Sequence, residues 1–279
     1  MAEAALVVGS GARHAAPVSE AVHEAAAKLR KAEEAGVPIP PLRGSLPEGS
    51  VEAAYEVQQV NVSHWLADGR RLVGRKIGLT SEAVQRQMGV DQPDFGALFA
   101  DMCLADGEPI PAGAVLQARA EAEVALVVNR DLPNADMTFG ELTAAIDHLL
   151  PAIEVVGSRI QDWDISIVDT IADNASSGMY VLGANAVDPR SIDLYAAGMV
   201  LELGGRIRSV GSGAACLGHP YRAALWLARR MAAEGEPLRA GDLVLTGALG
   251  PIVPLEPGLP VQATIQGLGT VRTILEVAR

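Results

Sequence analysis

The chain has 279 residues, a net charge of −12, 49% apolar residues and only 4% aromatic ones. That length allows one large domain or two small ones, and the apolar share is enough for an aliphatic core without staples. The acidic balance argues against a nucleic-acid backbone as partner, which would want clustered Lys and Arg, but leaves room for an anionic small molecule beside a bound cation.

In chain order, residues 1–17 carry no pattern. From Val18 to Ala35 a helical stripe runs through Val22, Ala25, Leu29 and Ala32, and Gly36 and the Pro38–Pro41 stretch end it. A second helix spans Ser50 to Ala67, with Ala53, Val57, Val60 and His64 on one face. These two helices suggest an N-terminal helical region over residues 1–71, with a β-rich domain over 72–279. Leu72–Leu79 reads as the first strand, Ser81–Met88 as a short helix and Gln117–Val128 as a long strand. Thr138 and Glu141 form a capping box for a helix whose apolar face holds Leu142, Ile146 and Leu149. Pro151–Gly157 reads as a strand, and Ser158–Gly178 as a polar loop tract. Strands follow at Val181–Leu182 and Val200–Leu203. Pro220 opens a helix, and the end of the chain is strand at Leu243–Thr246, Val261–Ile265 and Val271–Val277. Helices first and strands after make an α+β protein.

The sharpest local feature is Glu121-Ala122-Glu123 at the head of the apolar run Val124–Val128. Residues two apart on a strand share a face with Cα atoms about 6.6 Å apart, so the two carboxylates either line a solvated face or converge on a hard cation. Glu154 sits inside the apolar strand Pro151–Val156, where an ionised carboxylate must be exposed, paired or ligating. Three carboxylates on two strands form an oxygen-rich site suited to Mg²⁺ or Mn²⁺, and the five scattered histidines offer no zinc-type cluster. Lys76 shares its strand face with Gly74 and Gly78, which leaves open space around the ammonium. It is either a snorkelling surface lysine or a pocket lysine whose pKa burial would lower. The Asp162–Ser177 tract is either a solvated loop or a source of hydrogen bonds to a bound acid, and Gly247–Gly250 is either a tight turn or backbone brought close to a ligand. Cys103 and Cys216 form no CxxC pair and read as small hydrophobes in a reducing compartment. With no basic segment before the short Ala4–Val8 run and no membrane-length stretch, the expected location is cytoplasmic.

Taken together, Gly74–Thr80, Gln92–Gly96, Glu121–Glu123, Ala152–Glu154, Ser158–Ile160, Asp173–Ser176 and Gly267–Gly269 resemble, in order and separation, the hydratase and decarboxylase branch of the fumarylacetoacetate hydrolase superfamily. The resemblance runs from Val18 to the C-terminus. It implies a mixed β roll with flanking helices, and a metal centre of Mg²⁺ or Mn²⁺ on Glu121, Glu123 and Glu154. It implies proton transfer by Lys76 and Asp94, and substrate contacts from Asn174, Ser176 and Leu249. The implied activity is addition of water to a 2-hydroxy-2,4-dienoate, through its 2-oxo-3-enoate tautomer, in aromatic meta-cleavage catabolism. The sister activity, decarboxylation of 2-oxo-3-hexenedioate, and an inactive subunit that binds a 2-oxo acid or a partner enzyme are the alternatives. The Gly247-Ala248-Leu249-Gly250 tract favours the hydratase. Homo-oligomers, and association with a neighbouring pathway enzyme, are also implied.

Overall fold

The computed structural model describes residues 18–47, 50–81, 85 and 91–278, and within them two β-sheets and five α-helices are delimited. The strands in chain order are β1 (Leu72–Gly78), β2 (Asp94–Phe99), β3 (Cys103–Ala105), β4 (Arg119–Val128), β5 (Ile146–Val156), β6 (Met179–Leu182), β7 (Gly198–Leu203), β8 (Arg206–Ser212), β9 (Leu243–Ala248), β10 (Val253–Pro254), β11 (Pro260–Ile265) and β12 (Gly269–Ile274). The helices are α1 (Glu20–Ala35), α2 (Val51–Ala67), α3 (Phe139–Ala144), α4 (Ile167–Ala172) and α5 (Pro220–Ala233). The larger sheet has the order β2-β1-β9-β4-β5-β6-β3, with β10 paired to the start of β4. It is mixed, because β1 with β9 and β3 with β6 run parallel while its other pairs run antiparallel. The smaller sheet, β12-β11-β7-β8, is antiparallel.

One apolar cluster fills the space between the sheets and under α5. It joins Val124, Leu126, Ile153 and Val155 of the large sheet to Leu201, Val261 and Val271 of the small one, and to Leu227 of α5. Strand alternation fixes the consequence. Because Ala122 and Val124 point into this core, Glu121 and Glu123 point to the opposite face, and Glu154 does likewise between Ile153 and Val155. A second cluster joins α1 and α2 to the body. Val22, Leu29 and Val57 pack with Ile160, Val168 and Ile171 of the 158–178 tract, and each such aliphatic burial contributes about 1.5–3 kcal/mol.

Several elements differ from their sequence-based limits, for identifiable reasons. The capping box at Thr138 and Glu141 forms, but the helix stops at Ala144. Ile146 and Leu149 belong instead to β5, which pairs with β4 from Val128↔Ile146 onward, so cross-strand pairing overrides the helical spacing. The buried face of α2 includes the expected Ala53 and Val57 but turns through Ala54, Gln58, Asn61 and Val62, while Val60 is half-buried and His64 is exposed. Gln58 is inside because its Nε2 donates to the Phe95 and Ile171 carbonyls at 2.9 and 3.0 Å. The 158–178 tract contains the helix α4 behind a Ser166/Asp169 capping box. Strands β2, β3, β8 and β10 were not anticipated. The predicted helix Ser81–Met88 lies outside the described residues except for Ser81 and Gln85, as does the lead 1–17. No helix among the described residues is long and apolar enough to cross a membrane.

Candidate active site

Glu121 of β4 stands directly opposite Glu154 of β5, and Glu123 follows two residues along on the same face. One carboxylate oxygen from each of Glu121, Glu123 and Glu154 lies within 4.8 Å of the others. Glu123 and Glu154 are fully buried and Glu121 is half-buried. Like charges directly opposite across a sheet repel, and here there is little water to screen them. Burial pushes all three carboxyls up and their mutual repulsion adds to it for Glu121 and Glu123, so Glu121 is raised to about 7. Glu123 Oε2 accepts a hydrogen bond from the Gly247 amide at 2.8 Å. Glu123 Oε1 and Glu154 Oε2 are buried without a hydrogen-bond partner, and Glu154 Oε1 faces the Lys76 ammonium. An all-oxygen donor set with orphaned, converging acceptors fits a hard divalent cation and does not fit zinc.

Lys76 approaches from β1, with its Nζ 3.2 Å from Glu154 Oε1. Strands β9 and β4 lie between β1 and β5, a backbone separation of about 14 Å in a flat sheet. The contact therefore needs both side chains to reach toward each other across the intervening strands. Lys76 is only 3% exposed, so it does not snorkel. Its pKa is also not lowered. Burial acts in that direction, but Glu154, Asp94, Glu121 and Glu123 together raise it, and the ammonium stays charged. Nor do the glycines beside it leave a void. A Cβ on Gly78 would overlap Asp94 Oδ1, and one on Gly74 would overlap the Leu243 backbone, so each glycine admits a neighbour. Asp94, opposite Gly78 in the β1–β2 register, is thereby brought in beside Lys76. Burial raises the Asp94 carboxyl, against the lowering pull of Lys76.

The five residues Lys76, Asp94, Glu121, Glu123 and Glu154 thus share one face of the large sheet. The other three sequence candidates are placed differently. Asn174 spends its side chain on β2, accepting from the Ala97 amide at 2.7 Å and donating to the Ala97 carbonyl at 3.0 Å. Ser176 is buried with its hydroxyl 3.2 Å from that of Thr170. The Leu249 side chain packs in the inter-sheet core, while its backbone bonds Ala122 and Ser212. Within that tetrapeptide it is Gly247 whose amide reaches the carboxylates.

One supporting feature escaped the sequence reading, and a second, in the Gly247–Gly250 tract, was read as a close backbone approach without its bulge. Arg159 is buried and clasps Asp173 through its backbone amide and guanidinium, and also donates to the Ser177 and Asp173 carbonyls. Both residues fell in quoted motifs, but nothing local shows that they pair. Gly247 sits at a bulge. Glu123 faces Ala248 and Ala125 faces Leu245, so β9 carries one more residue than β4 over this stretch. At Gly247 φ is +105°, and a Cβ there would overlap the Thr80 side chain. A cleft of about 660 Å³ lies elsewhere, lined by Tyr55, Arg75 and Arg230. Arg75 reaches it because it points to the other face of β1 from Lys76.

Comparison with known proteins places this fold in a family. The family profile for the fumarylacetoacetate (FAA) hydrolase C-terminal region matches residues 71–276. A 2-keto-4-pentenoate hydratase of Paraburkholderia xenovorans is 52% identical over 253 residues, covering 91% of this chain and 94% of the relative. One from Burkholderia vietnamiensis is 55% identical over 247 residues, covering 88% and 94%. Among solved structures, the 4-oxalocrotonate decarboxylase of Pseudomonas putida G7, complexed with magnesium and adipate, superposes with a TM-score of 0.85. It is 32% identical and covers 91% of this chain and 97% of that one.

Proposed function

Since this chain belongs to the fumarylacetoacetate hydrolase family, we propose that it is a hydro-lyase that adds water to a 2-hydroxy-2,4-dienoate and yields a 4-hydroxy-2-oxo acid. The observation that carries the reading is the convergence of three carboxylates, one lysine and one aspartate on a single buried face. Identities of 52–55% to hydratases, against 32% to the decarboxylase, favour water addition over loss of CO₂.

Glu121, Glu123 and Glu154 would hold the cation, Mg²⁺ or Mn²⁺. When bound, it supplies Lewis acidity and a template for the substrate's carboxylate and C2 oxygen. Glu123 offers Oε1, because Gly247 occupies Oε2. The reaction needs two proton movements. Ketonisation moves a proton from the 2-hydroxyl to C5. Conjugate addition then places hydroxide on C4 and a proton on C3 of the 2-oxo-3-enoate. Lys76, held cationic by its carboxylate neighbours, serves as the proton donor. Asp94 serves as the acceptor, because burial raises its carboxyl and so suits it to take and return a proton. Burial of both groups keeps bulk water from competing. The protein works as a homo-oligomer in the cytoplasm, with Cys103 and Cys216 free.

The test follows the ultraviolet absorbance of enzymically generated 2-hydroxypenta-2,4-dienoate with Mg²⁺, with EDTA and with Glu123→Ala. Decay with Mg²⁺ alone, and 4-hydroxy-2-oxopentanoate as product, supports the reading. No decay, together with CO₂ release from 2-oxo-3-hexenedioate, replaces it with the decarboxylase.

A further inference from the structure

Three consecutive residues other than glycine, Asn174, Ala175 and Ser176, have φ values of 54°, 52° and 55°. The left-handed region is disfavoured for every L-residue with a Cβ, and Asn tolerates it best of the three. A run of this kind persists only where its surroundings over-determine it. Here they do so from three sides. On one side, β2 is the terminal strand of the large sheet, and the Asn174 amide bonds both the N–H and the C=O of Ala97, as a neighbouring strand would. Beneath the turn is Gly96, where a Cβ would overlap the Asn174 carbonyl, so the missing side chain lets the turn sit down on β2. Upstream, the buried Arg159–Asp173 clasp holds the residue where the turn begins.

What the turn presents is one acceptor. The Ala175 carbonyl takes a hydrogen bond from Lys76 Nζ at 2.8 Å. Gly96 is also the register partner of Lys76. Lys76 is a flexible four-carbon stem whose Nζ carries three donors, and without a fixed acceptor the strong pull of Glu154 would set its direction alone. We infer that Asn174 is a positioning residue: it docks the left-handed turn on the edge of β2 so that the Ala175 carbonyl holds Lys76 Nζ in its working direction. The inference rests on the proposed role of Lys76. It differs from the reading in which the Asn174 amide touches substrate, because the Ala97 backbone engages both of its polar atoms.

Asn174→Gly separates the two readings, since glycine keeps the backbone conformation and loses only the amide. In the full-length enzyme with Mg²⁺, the expected result is a fall in kcat of about ten- to a hundredfold, with KM for the dienoate and Mg²⁺ affinity within about twofold of the parent. A raised KM at unchanged kcat would show that the amide binds substrate and overturn the inference; so would unchanged kcat and KM. Lys76→Ala runs in parallel. If it is fully active, the role of Lys76 falls and this inference with it. If it is inactive while Asn174→Gly is at parental kcat, the inference alone is lost. Should Asn174→Gly not fold by circular dichroism, Asn174→Asp supplies the same comparison. It keeps the acceptor for the Ala97 amide and sets a carboxylate oxygen against the Ala97 carbonyl, so kcat is again expected to fall at constant KM.

Discussion

Removing the cation should make the fold weaken as the pH rises, and the effect can be sized from Glu121. Its carboxyl is raised from 4.5 to about 7 by burial and by Glu154, against the pull of Lys76. A raised folded-state pKa means that the native protein keeps a proton that the unfolded chain gives up. The associated stability is fully present below about pH 4.5 and is lost as the pH passes through about 7. A shift of that size corresponds to about 3 kcal/mol at most, and solvent at the half-buried Glu121 reduces it to roughly 2 kcal/mol. Glu123 and Glu154 are also raised and act in the same direction. For a chain of this size about 2 kcal/mol is on the order of 4–8 °C in Tm. Bound Mg²⁺ requires the deprotonated carboxylates, so its stabilisation should grow over the same window. The assay is calorimetry of EDTA-treated and Mg²⁺-saturated protein at several pH values between about 5 and 8, the window set by these shifts. Asp173, raised to about 6 by burial against Arg159, adds to the slope of the EDTA-treated protein but not to the Mg²⁺ increment. A Tm without metal that is flat or rises across the window, or an equal Mg²⁺ increment at both ends, would refute the reasoning. Glu121→Gln should flatten the slope.

Gly247→Ala forces a Cβ into a φ of +105° against Thr80 and disturbs the amide donated to Glu123; a loss of about 2–4 kcal/mol in urea unfolding, with weaker Mn²⁺ binding by electron paramagnetic resonance, is expected. Arg159→Met leaves Asp173 buried without its cation and should cost about 3–5 kcal/mol by the same unfolding measurement. Gln58→Leu abandons the carbonyls of Phe95 and Ile171, which α2 satisfies in the parent; the expected cost is about 1–3 kcal/mol for each carbonyl left unpaired, read as a lower urea midpoint.

The carboxylates were legible because two independent local rules meet on them. Parity puts Glu121 beside Glu123, and a lone Glu154 inside an apolar strand demands a partner. Lys76 was legible as a residue but not as a state, because its charge depends on carboxylates brought in from β2, β4 and β5. Asp94 carried no local signal. Its strand, Asp94-Phe-Gly-Ala-Leu-Phe99, opens with residues that favour turns, and it forms a strand because all six positions are buried against neighbours far away in sequence. Asn174 was noticed for its polarity, yet its work is done by a backbone conformation that no residue beside it announces. The stripe of α2 held at Ala53 and Val57 but not at His64, and its buried face also takes in Gln58 and Asn61 because backbone carbonyls and a side chain from other elements meet them there.

The misses share a cause with the function. A site that buries three carboxylates together is locally frustrated, so the groups around them are placed by distant elements more than by their own propensity. Gly247 reaches Glu123 from a bulge in β9, and Ala175 reaches Lys76 from a turn anchored on β2. These contacts hold directions, since neither the amide nor the carbonyl changes the number of charges in the site. The net charge of the carboxylate cluster is left for a cation to balance, which is why the backbone geometry here is stricter than packing alone requires. The same logic sets the order of loss on perturbation. Substitutions in the turn should impair turnover before they impair metal binding, whereas substitutions at the β9 bulge should impair metal binding first.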